Sequence, residues 1–212
     1  MIFSYDKIAP NYDKFLSIVE EKSIDKYRKK YVPLIKGKVL DIAAGTGNNI
    51  KYYPKNSDVT LLDASEGMLK IAREKAKERE DLSLEYINQR LEDFELPDNY
   101  FDTILSIDVF CSVQDQDKAM KNIKRVLKKD GRIIFVEHMK TEFFLKNIPL
   151  YFSNLLTYPT VGSSMVKETD KKIEKYFKIL EKEKLNYSFR YYLVTKWTLI
   201  GAAFAALFII TL

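Results

Sequence analysis

The sequence predicts an α/β fold in which a mostly parallel sheet carries helices on both faces. Two observations predict it. The apolar run 39–42 breaks into a glycine-containing stretch, residues 43–47, and a helix-compatible segment follows. Roughly 20 residues later a second apolar run, residues 59–63, ends in the acid Asp63. This is the order of a nucleotide-binding βαβ unit, in which Asp63 would accept hydrogen bonds from two ribose hydroxyls.

The glycine loop favours a cationic adenosine ligand over a dinucleotide. Gly45 and Gly47 permit a sharp turn and close approach of a ligand to the backbone, but the third glycine that suits a pyrophosphate is missing. Asp41, at the end of the strand, would repel a phosphate and attract a positive group. An adenosine that carries a sulfonium and an ammonium group therefore matches these charges better than NAD does.

Composition and charge limit the classes of protein. The 212 residues, 46% of them hydrophobic, suit one domain over residues 1–212. A single cysteine, Cys111, and a single histidine, His138, exclude an internal disulfide and a cysteine- or histidine-based metal centre, and they favour a reducing compartment. The net charge of +5 indicates an anionic surface such as phospholipid more than nucleic acid. Residues 1–13 lack the apolar core of a signal peptide, so we expect a cytoplasmic protein.

Apolar periodicity and turn residues predict the other elements. The predicted helices span residues 15–31, 48–53, 66–80, 116–128 and 169–185, and the remaining strands span residues 82–88, 103–107, 132–136, 188–194 and 198–205. We expect the N-terminus of the helix at 48–53 to offer backbone donors to a ligand carboxylate.

The C-terminal stretch 197–212 admits two interpretations. Its 16 residues are uncharged and mostly apolar, which is just short of the ~20 residues of a membrane-spanning helix. The alternative is a final buried strand of the sheet. We favour a strand at 198–205, followed by an apolar end, residues 206–212, that would touch a membrane or a partner.

Four features resemble class I S-adenosylmethionine (SAM)-dependent methyltransferases of the UbiE-like, type 11 group. They are the loop at 39–47, the pattern Tyr-Asp-x-x-Ala-x-x-Tyr-Asp at residues 5–13, Cys111-Ser112 after the fourth strand and Glu137-His138 after the fifth. The likeness extends to small membrane-associated phospholipid N-methyltransferases and to methyltransferase-like alkyl-thiol methyltransferases. It implies SAM as the cofactor and a Rossmann-like, seven-stranded sheet of order 3-2-1-4-5-7-6 with the last strand antiparallel.

The resemblance also implies a cofactor site. Residues 1–36 would fold over the cofactor as a lid, with Tyr5 and Tyr12 near the methyl group or the methionine carboxylate. The alternative is that the amphipathic helix at 15–31 only covers one edge of the sheet. Arg90 and Leu91 stand where the family usually has an acidic and a small residue beside the adenine, so there we expect backbone contact rather than a role for the Arg90 side chain. The expected cofactor-binding residues are Tyr5, Tyr12, Asp41, Ala43, Gly45, Gly47, Asn48, Asp63, Ala64, Met68, Arg90, Leu91 and Ser106.

Three residues are candidates for catalysis. Ligands collect at strand ends on such a sheet, so Ser106, Asp108 and Phe110 should face the cofactor or substrate. His138 is the first candidate for a base, the alternative being a satisfied structural histidine. Asp108 is the second, the alternative being a solvated loop carboxylate. Tyr5 would close the site against water, and Cys111 is expected to be a packed thiol.

These features predict methyl transfer from SAM to a small amphiphilic acceptor, either a lipid head-group amine, as in phosphatidylethanolamine-type N-methylation, or a thiol. The apolar segment 139–167 either covers the core or forms a substrate-side lid that contacts lipid or quinone. Peripheral membrane contact would then use this segment and the C-terminal tail, in a monomer or homodimer. A quinone-pathway C-methyltransferase and a non-catalytic SAM-binding membrane assembly factor remain alternatives.

Overall fold

The computed structural model describes residues 5–14, 24–140, 145, 147–148, 150–152, 154–155, 162–164, 166–186 and 188–196. Within these residues the strands are β1 (Lys38–Ile42), β2 (Asp58–Asp63), β3 (Ser83–Asn88), β4 (Phe101–Ile107), β5 (Leu127–His138), β6 (Phe177–Lys184) and β7 (Phe189–Lys196). The helices are α1 (Asp25–Tyr31), α2 (Glu66–Ala76), α3 (Gln116–Val126) and α4 (Thr169–Tyr176), and short 3-10 turns lie at Tyr5–Lys7, Val32–Leu34 and Ile50–Tyr52.

The strands form one seven-stranded sheet of order β3-β2-β1-β4-β5-β7-β6, which confirms the predicted fold class. Strands β1 to β5 pair in parallel, and β7 runs antiparallel to both of its neighbours, β5 and β6. The carboxyl ends of the parallel strands therefore meet at one edge of the sheet, where ligands bind in this architecture.

Helices bury both faces of the sheet. On one face α3 and α4 pack through apolar side chains such as Met120 and Ile173. On the other face α1 and α2 pack through residues such as Tyr27 and Leu69. Strands that are covered on both sides read as continuous apolar runs, which is why β1 and β2 are easy to recognise in the sequence.

The C-terminal hairpin differs from the prediction. The helix predicted at 169–185 ends at Tyr176, and β6 follows directly. β6 is a charged edge strand with a register shift between Ile179 and Glu181, and Leu180 at that shift is 53% exposed. Ile173, Phe177 and Leu180 have the spacing of one helical face in the sequence. In the structure Leu180 does not share the buried face of the other two.

Strand numbering shifts as a consequence. The strand predicted at 188–194 as the sixth of the sheet is the seventh, β7. The strand predicted at 198–205 falls within the C-terminal residues 197–212. Residues 197–212 lie outside the described residues. In the described part of the chain, no helix combines the length and apolarity needed to cross a membrane.

Candidate active site

A cleft opens at the carboxyl ends of β1 and β4. Its volume is about 430 Å³ when the open space at its mouth is included. It joins the N-terminal segment, α1, the loop after β1 and the end of β4. The lining residues are Tyr12, Arg28, Ala43, Ala44, Gly45, Thr46, Asn48, Asn49, Ile107 and Asp108. Five residues predicted from the sequence thus come together here, namely Tyr12, Ala43, Gly45, Asn48 and Asp108.

The loop after β1 requires its two glycines for different reasons. Gly45 has φ 56° and Gly47 has φ 76°, both in the left-handed region. A Cβ on Gly47 would lie 2.6 Å from Cδ1 of Ile50 and 2.9 Å from Cβ of Ala72. A Cβ on Gly45 would meet nothing nearer than the Ala43 carbonyl oxygen at 4.0 Å. Gly47 therefore lets the loop pack onto α2, whereas Gly45 leaves open space above the loop.

Several backbone amides of this loop are already bonded within the protein. The amide of Ala44 donates to the Leu62 carbonyl at 3.0 Å, and that of Gly47 donates to the Ala44 carbonyl at 3.0 Å. The helix predicted at 48–53 is only a 3-10 turn, Ile50–Tyr52, whose first amide donates to the Gly47 carbonyl. The prediction of a helix N-terminus at this position is therefore wrong, because Pro54 follows too closely for a helix to extend.

Asp63 shapes the loop as well as closing β2. Its Oδ2 accepts from the amide of Gly45 and its Oδ1 from the amide of Ser65, each at 2.8 Å. Burial is the largest cause of the raised pKa of this carboxyl group. Each oxygen retains a second lone pair. Binding of ribose hydroxyls by Asp63 stays a prediction.

Contrary to the prediction, Asp41 does not reach the cleft. Its buried Oδ2 accepts from Nδ2 of Asn49 at 2.8 Å and from the hydroxyl of Tyr53, while its Oδ1 is buried without a hydrogen-bond partner. Burial raises the pKa of Asp41 to about 6. The cleft is lined instead by Asn49, whose amide Asp41 holds in place.

The N-terminal segment is tied down at both ends of residues 5–14. Asp6 accepts from the amide of Gly67, at the start of α2, at 2.8 Å. Asp13 accepts from the hydroxyl of Thr46, in the loop after β1, at 2.7 Å. The two carboxylates thus fasten the segment across the carboxyl edge of the sheet.

Two tyrosines of this segment stand at the cleft. Tyr5 and Tyr12 meet edge to face with ring centroids 6.1 Å apart, and Tyr12 lines the cleft. The pKa of Tyr5 is raised, chiefly by burial and then by Cys111, with a smaller contribution from Asp108. Tyr5 therefore lies close to the end of β4, in a position to exclude water.

The ends of β4 and β5 are joined by a buried carboxyl group. Glu137 holds the hydroxyl of Ser106 at 2.5 Å on Oε1, and its Oε2 accepts from the amides of Val109 and Phe110 at 3.0 Å each. Burial raises the pKa of Glu137 to about 8. The side chain of Ser106 is fully buried against Glu137, so the expectation that it faces the ligand is wrong.

The loop that Glu137 holds contains Asp108. Asp108 has φ 58°, which is an unusual conformation for a residue with a side chain. Its amide donates to the Val136 carbonyl at 2.9 Å, and its side chain lines the cleft. Asp108 is therefore the candidate base that the structure places in the cleft.

His138 lies on the opposite face of β5 from Glu137, because successive side chains of a strand alternate. Its ring is buried edge-on against Phe189 with centroids 5.3 Å apart, and its Nδ1 has no hydrogen-bond partner. Burial lowers the pKa of His138 to about 4. His138 is absent from the cleft lining, and its role as a base stays a prediction.

The cleft lining does not include the other predicted residues Met68, Leu91, Cys111, Arg90 and Ala64. Met68 and Leu91 are buried in the core, and Cys111 is a buried thiol whose pKa burial raises, as expected for a packed cysteine. Arg90 lies 3.3 Å from Glu92 in an ion pair. Ala64 is exposed beside Asp63.

Sequence reasoning missed Arg28 and Asn49. Arg28 is buried on α1, and its Nε donates to Oδ1 of Asn49 at 3.2 Å. In the sequence Arg28 sits in a lysine-rich helix and looks like part of a solvated face. Its spacing from Ile24 and Tyr31, four and three residues away, does place it on the buried stripe.

The chain is similar in sequence to known methyltransferases. A family model described as a methyltransferase domain matches residues 40–135. The ubiquinone/menaquinone biosynthesis C-methyltransferase UbiE of Shewanella sp. (strain ANA-3) is 30% identical over 178 residues, which cover 78% of this chain and 70% of that protein. The chain belongs to the class I SAM-dependent methyltransferases. It is therefore an enzyme whose cofactor is SAM.

Two further similarities agree with this family. The mitochondrial methyltransferase OMS1 of Saccharomyces cerevisiae is 33% identical over 160 residues, which cover 66% of this chain and 34% of that protein. A SAM-dependent methyltransferase of Thermotoga maritima, described as a possible histamine N-methyltransferase, superposes with a TM-score of 0.66 at 20% identity over 91% of this chain and 98% of that one. At this identity the structural likeness supports the fold alone.

The described residues of this methyltransferase fit SAM. The loop leaves space above Gly45, where an added Cβ would meet nothing nearer than the Ala43 carbonyl oxygen at 4.0 Å. Asp63 stands at the strand end that faces a ribose in this architecture. Asp108 contributes a carboxylate to the cleft, which suits the positive charge of the sulfonium and ammonium groups.

Proposed function

We propose that this methyltransferase acts on a small amphiphilic acceptor that it takes from a membrane surface. The observation that carries the proposal is an exposed apolar stripe on the segment between β5 and α4. Leu145, Phe152 and Leu155 are helical residues with 75%, 67% and 69% of their surface exposed. Their spacing of seven and three residues puts them on one helical face, and such stripes mark contact surfaces.

The opposite side of this segment is anchored to the protein. Leu150 and Asn147 are buried, so the helical residues present one docked and one apolar exposed side. Further along, the amide of Ser164 donates to the Cys111 carbonyl at 2.8 Å. Since Cys111 follows Asp108 in the loop after β4, Ser164 of this segment lies on the same edge of the sheet as the cleft. An amphiphile held by the stripe could therefore reach the cleft without leaving the surface.

Charge supports an anionic membrane as the docking surface. The sequence carries a net charge of +5. A surface helix with an apolar face binds at the boundary between head groups and acyl chains, and basic residues add attraction to anionic lipids.

Two acceptor classes fit an amphiphile. A lipid head-group amine, as in phosphatidylethanolamine, or a thiol needs only a modest base, because either becomes a strong nucleophile once it loses one proton. A quinol ring carbon is the second class, and the relative's description as a ubiquinone/menaquinone biosynthesis C-methyltransferase favours it. The amine or thiol stays our first assignment from the sequence, and the quinol is the alternative that similarity supports.

The residues of the cleft have separate roles in the proposed reaction. Bound SAM supplies a methyl group on an activated sulfonium, so alignment of the nucleophile provides most of the rate. Asp108 lines the cleft and is placed to accept the proton that the nucleophile releases. Tyr5 and Tyr12 cover the site and exclude water. His138, neutral at pH 7 because burial lowers its pKa to about 4, would serve as a base only after a movement that exposes its ring.

The acceptor is tested by supplying SAM labelled in its methyl group to the purified protein. Vesicles containing phosphatidylethanolamine, an alkyl thiol and a short-chain quinol are offered in turn, and the labelled product is identified by mass spectrometry. Label on the amine or thiol supports the first assignment, and label on a ring carbon supports the alternative. SAM binding without transfer to any of the three would favour a non-catalytic assembly factor and contradict the proposal.

Membrane docking is tested separately by vesicle sedimentation. Replacing Phe152 and Leu155 with Ser should reduce binding to vesicles that contain anionic lipid, with SAM affinity unchanged. Leu180→Ser is the matched control, since Leu180 is also exposed but lies on β6. Equal vesicle binding by all variants would contradict the docking surface.

A further inference from the structure

Arg28 has an environment that its position in a lysine-rich helix does not explain. It is buried, and it lines the cleft at the carboxyl end of β1. We propose that Arg28 binds the carboxylate of the methionine part of SAM. This inference rests on SAM as the cofactor and assigns one of its groups to a residue of this chain.

Charge in the cleft singles out Arg28. Among the described residues that line the cleft, it is the one that carries a positive charge, and Asp108 carries a negative one. The amino-acid end of SAM is a zwitterion with an ammonium and a carboxylate group. A carboxylate placed beside Asp108 would be repelled, so the guanidinium of Arg28 is the favourable partner in this cleft.

The backbone offers fewer hydrogen-bond donors to the carboxylate than the sequence predicts. The amides of Ala44, Gly45, Gly47 and Ile50 all donate within the protein. A full helix with unsatisfied amides would otherwise be the usual anion site after such a loop. With a single 3-10 turn in its place, fewer backbone donors face the anion, which favours a side chain as its partner.

A hydrogen-bonded chain fixes the orientation of Arg28. Its Nε donates to Oδ1 of Asn49 at 3.2 Å, and Nδ2 of Asn49 donates to Oδ2 of Asp41 at 2.8 Å. The hydroxyl of Tyr53 donates to the same Asp41 oxygen. The amide of Asn49 thus receives from Arg28 and donates to Asp41, which determines the direction of its oxygen. Tyr53 thus fixes Asp41, Asp41 fixes Asn49, and Asn49 holds the guanidinium at the cleft wall.

This arrangement gives Asp41 a role although its side chain does not reach the cleft. Asp41 lies behind Asn49 rather than in the cleft, and it accepts the hydrogen bond that the Asn49 amide donates. We therefore assign Arg28 as the binding residue and Asn49 and Asp41 as positioning residues.

The test compares two ligands that differ only in the carboxylate, SAM and decarboxylated SAM, by calorimetric titration of the whole protein. Arg28→Gln should weaken SAM binding by roughly 10- to 100-fold, the usual value of a hydrogen bond to a charged group. It should leave the affinity for decarboxylated SAM unchanged. Arg28→Lys, which keeps the charge without the planar fork, should lose less of the SAM affinity.

Lys29→Gln is the matched control, because Lys29 is the exposed neighbour of Arg28 on α1 and should change neither affinity. Equal losses for both ligands in Arg28→Gln, or no loss for SAM, would overturn the assignment. If Arg28→Gln does not fold, the comparison is made with Arg28→Lys, and a loss confined to SAM is again required. Failure of the wild-type protein to bind SAM would overturn the cofactor assignment itself, and that outcome is recognised without any variant.

Discussion

The hydroxyl of Ser106 and the carboxyl group of Glu137 form a buried hydrogen bond of 2.5 Å across neighbouring strands β4 and β5. The second oxygen of Glu137 accepts from the amides of Val109 and Phe110, so one side chain fixes the strand end and the loop that follows. Asp108, which lines the cleft, lies in that loop with φ 58°. A buried acid thus positions the candidate base from behind.

The protonation of Glu137 should make the stability of the protein depend on pH. Its pKa is raised from 4.5 to about 8 in the folded state, so between these values the folded protein binds more protons than the unfolded chain. The free energy of unfolding should therefore fall as pH rises through this window. From pH 6.5 to pH 8 we expect a loss on the order of 1 kcal/mol in urea unfolding.

Glu137→Gln is the control for this prediction, because its amide can donate to Ser106 and accept from the loop without titrating. The variant should show little change between pH 6.5 and pH 8. Asp41 and His138 contribute equally to wild type and to the variant, so the difference between their pH profiles reports Glu137 alone. An identical pH slope in wild type and variant would contradict the role of Glu137.

The single histidine gives a direct test of burial at the end of β5. His138 has its pKa lowered from 6.5 to about 4 by burial, so its ring should remain neutral at pH 5.5. Nitrogen-15 NMR of the imidazole, which has one set of signals because the chain has one histidine, measures this value. A midpoint near 6.5 would show that the ring is solvated and open to a role at the substrate side.

The same shift predicts the sign of acid sensitivity. Because the folded pKa of His138 is depressed, the stability it contributes is present above pH 6.5 and is lost as pH falls towards about 4. His138→Phe should reduce this loss if the ring fills the same space against Phe189.

The two loop glycines should differ in their response to a methyl group. Gly45→Ala adds only the strain of a left-handed backbone, about 1 kcal/mol. Gly47→Ala adds the same strain and a collision with Ile50 and Ala72, for which overpacking costs about 2 kcal/mol more. Thermal unfolding should therefore rank Gly47→Ala below Gly45→Ala. The reverse order would contradict the described packing of the loop on α2.

Replacing Gly67 with Ala should displace the N-terminal segment without lowering the stability of the core. A Cβ at Gly67 would lie 3.1 Å from Oδ1 of Asp6 and 3.3 Å from Cβ of Ala9, so Gly67→Ala should push residues 5–14 away from α2. The variant should release SAM faster in stopped-flow measurements. Its global stability should not fall, because alanine is the better helix former by about 1 kcal/mol. Lys70→Ala, at an exposed position of α2, is the control, and equal release rates in both variants would count against a lid.

Much of the fold could be predicted because β1, β2 and β4 are apolar runs that end in recognisable turn or acid residues. The C-terminal hairpin could not, since β6 is a charged edge strand whose apolar residues also satisfy a helical spacing. Residue propensity and apolar periodicity do not distinguish a helix from an edge strand here, because the register shift that exposes Leu180 arises from strand pairing.

The cleft was predictable only in part for a similar reason. Ala43, Gly45 and Asn48 line it because they follow a strand end, which sequence order reveals. Arg28 comes from a distant helix, and the burial of one guanidinium among exposed lysines depends on tertiary packing. Ser106 was misplaced because the direction of its side chain depends on the strand alternation that pairs it with Glu137.

The most direct test of the central claim is calorimetric titration of the folded protein with SAM and its demethylated product, using wild type, Asp63→Asn and Asp58→Asn. Asp63 lies at the carboxyl end of β2 beside the loop, whereas Asp58 lies at the other end of the same strand. We predict that wild type and Asp58→Asn bind both ligands and that Asp63→Asn loses at least about tenfold in affinity, the value of roughly one charged hydrogen bond. Folded wild-type protein that binds neither ligand would contradict the assignment of this cleft to SAM.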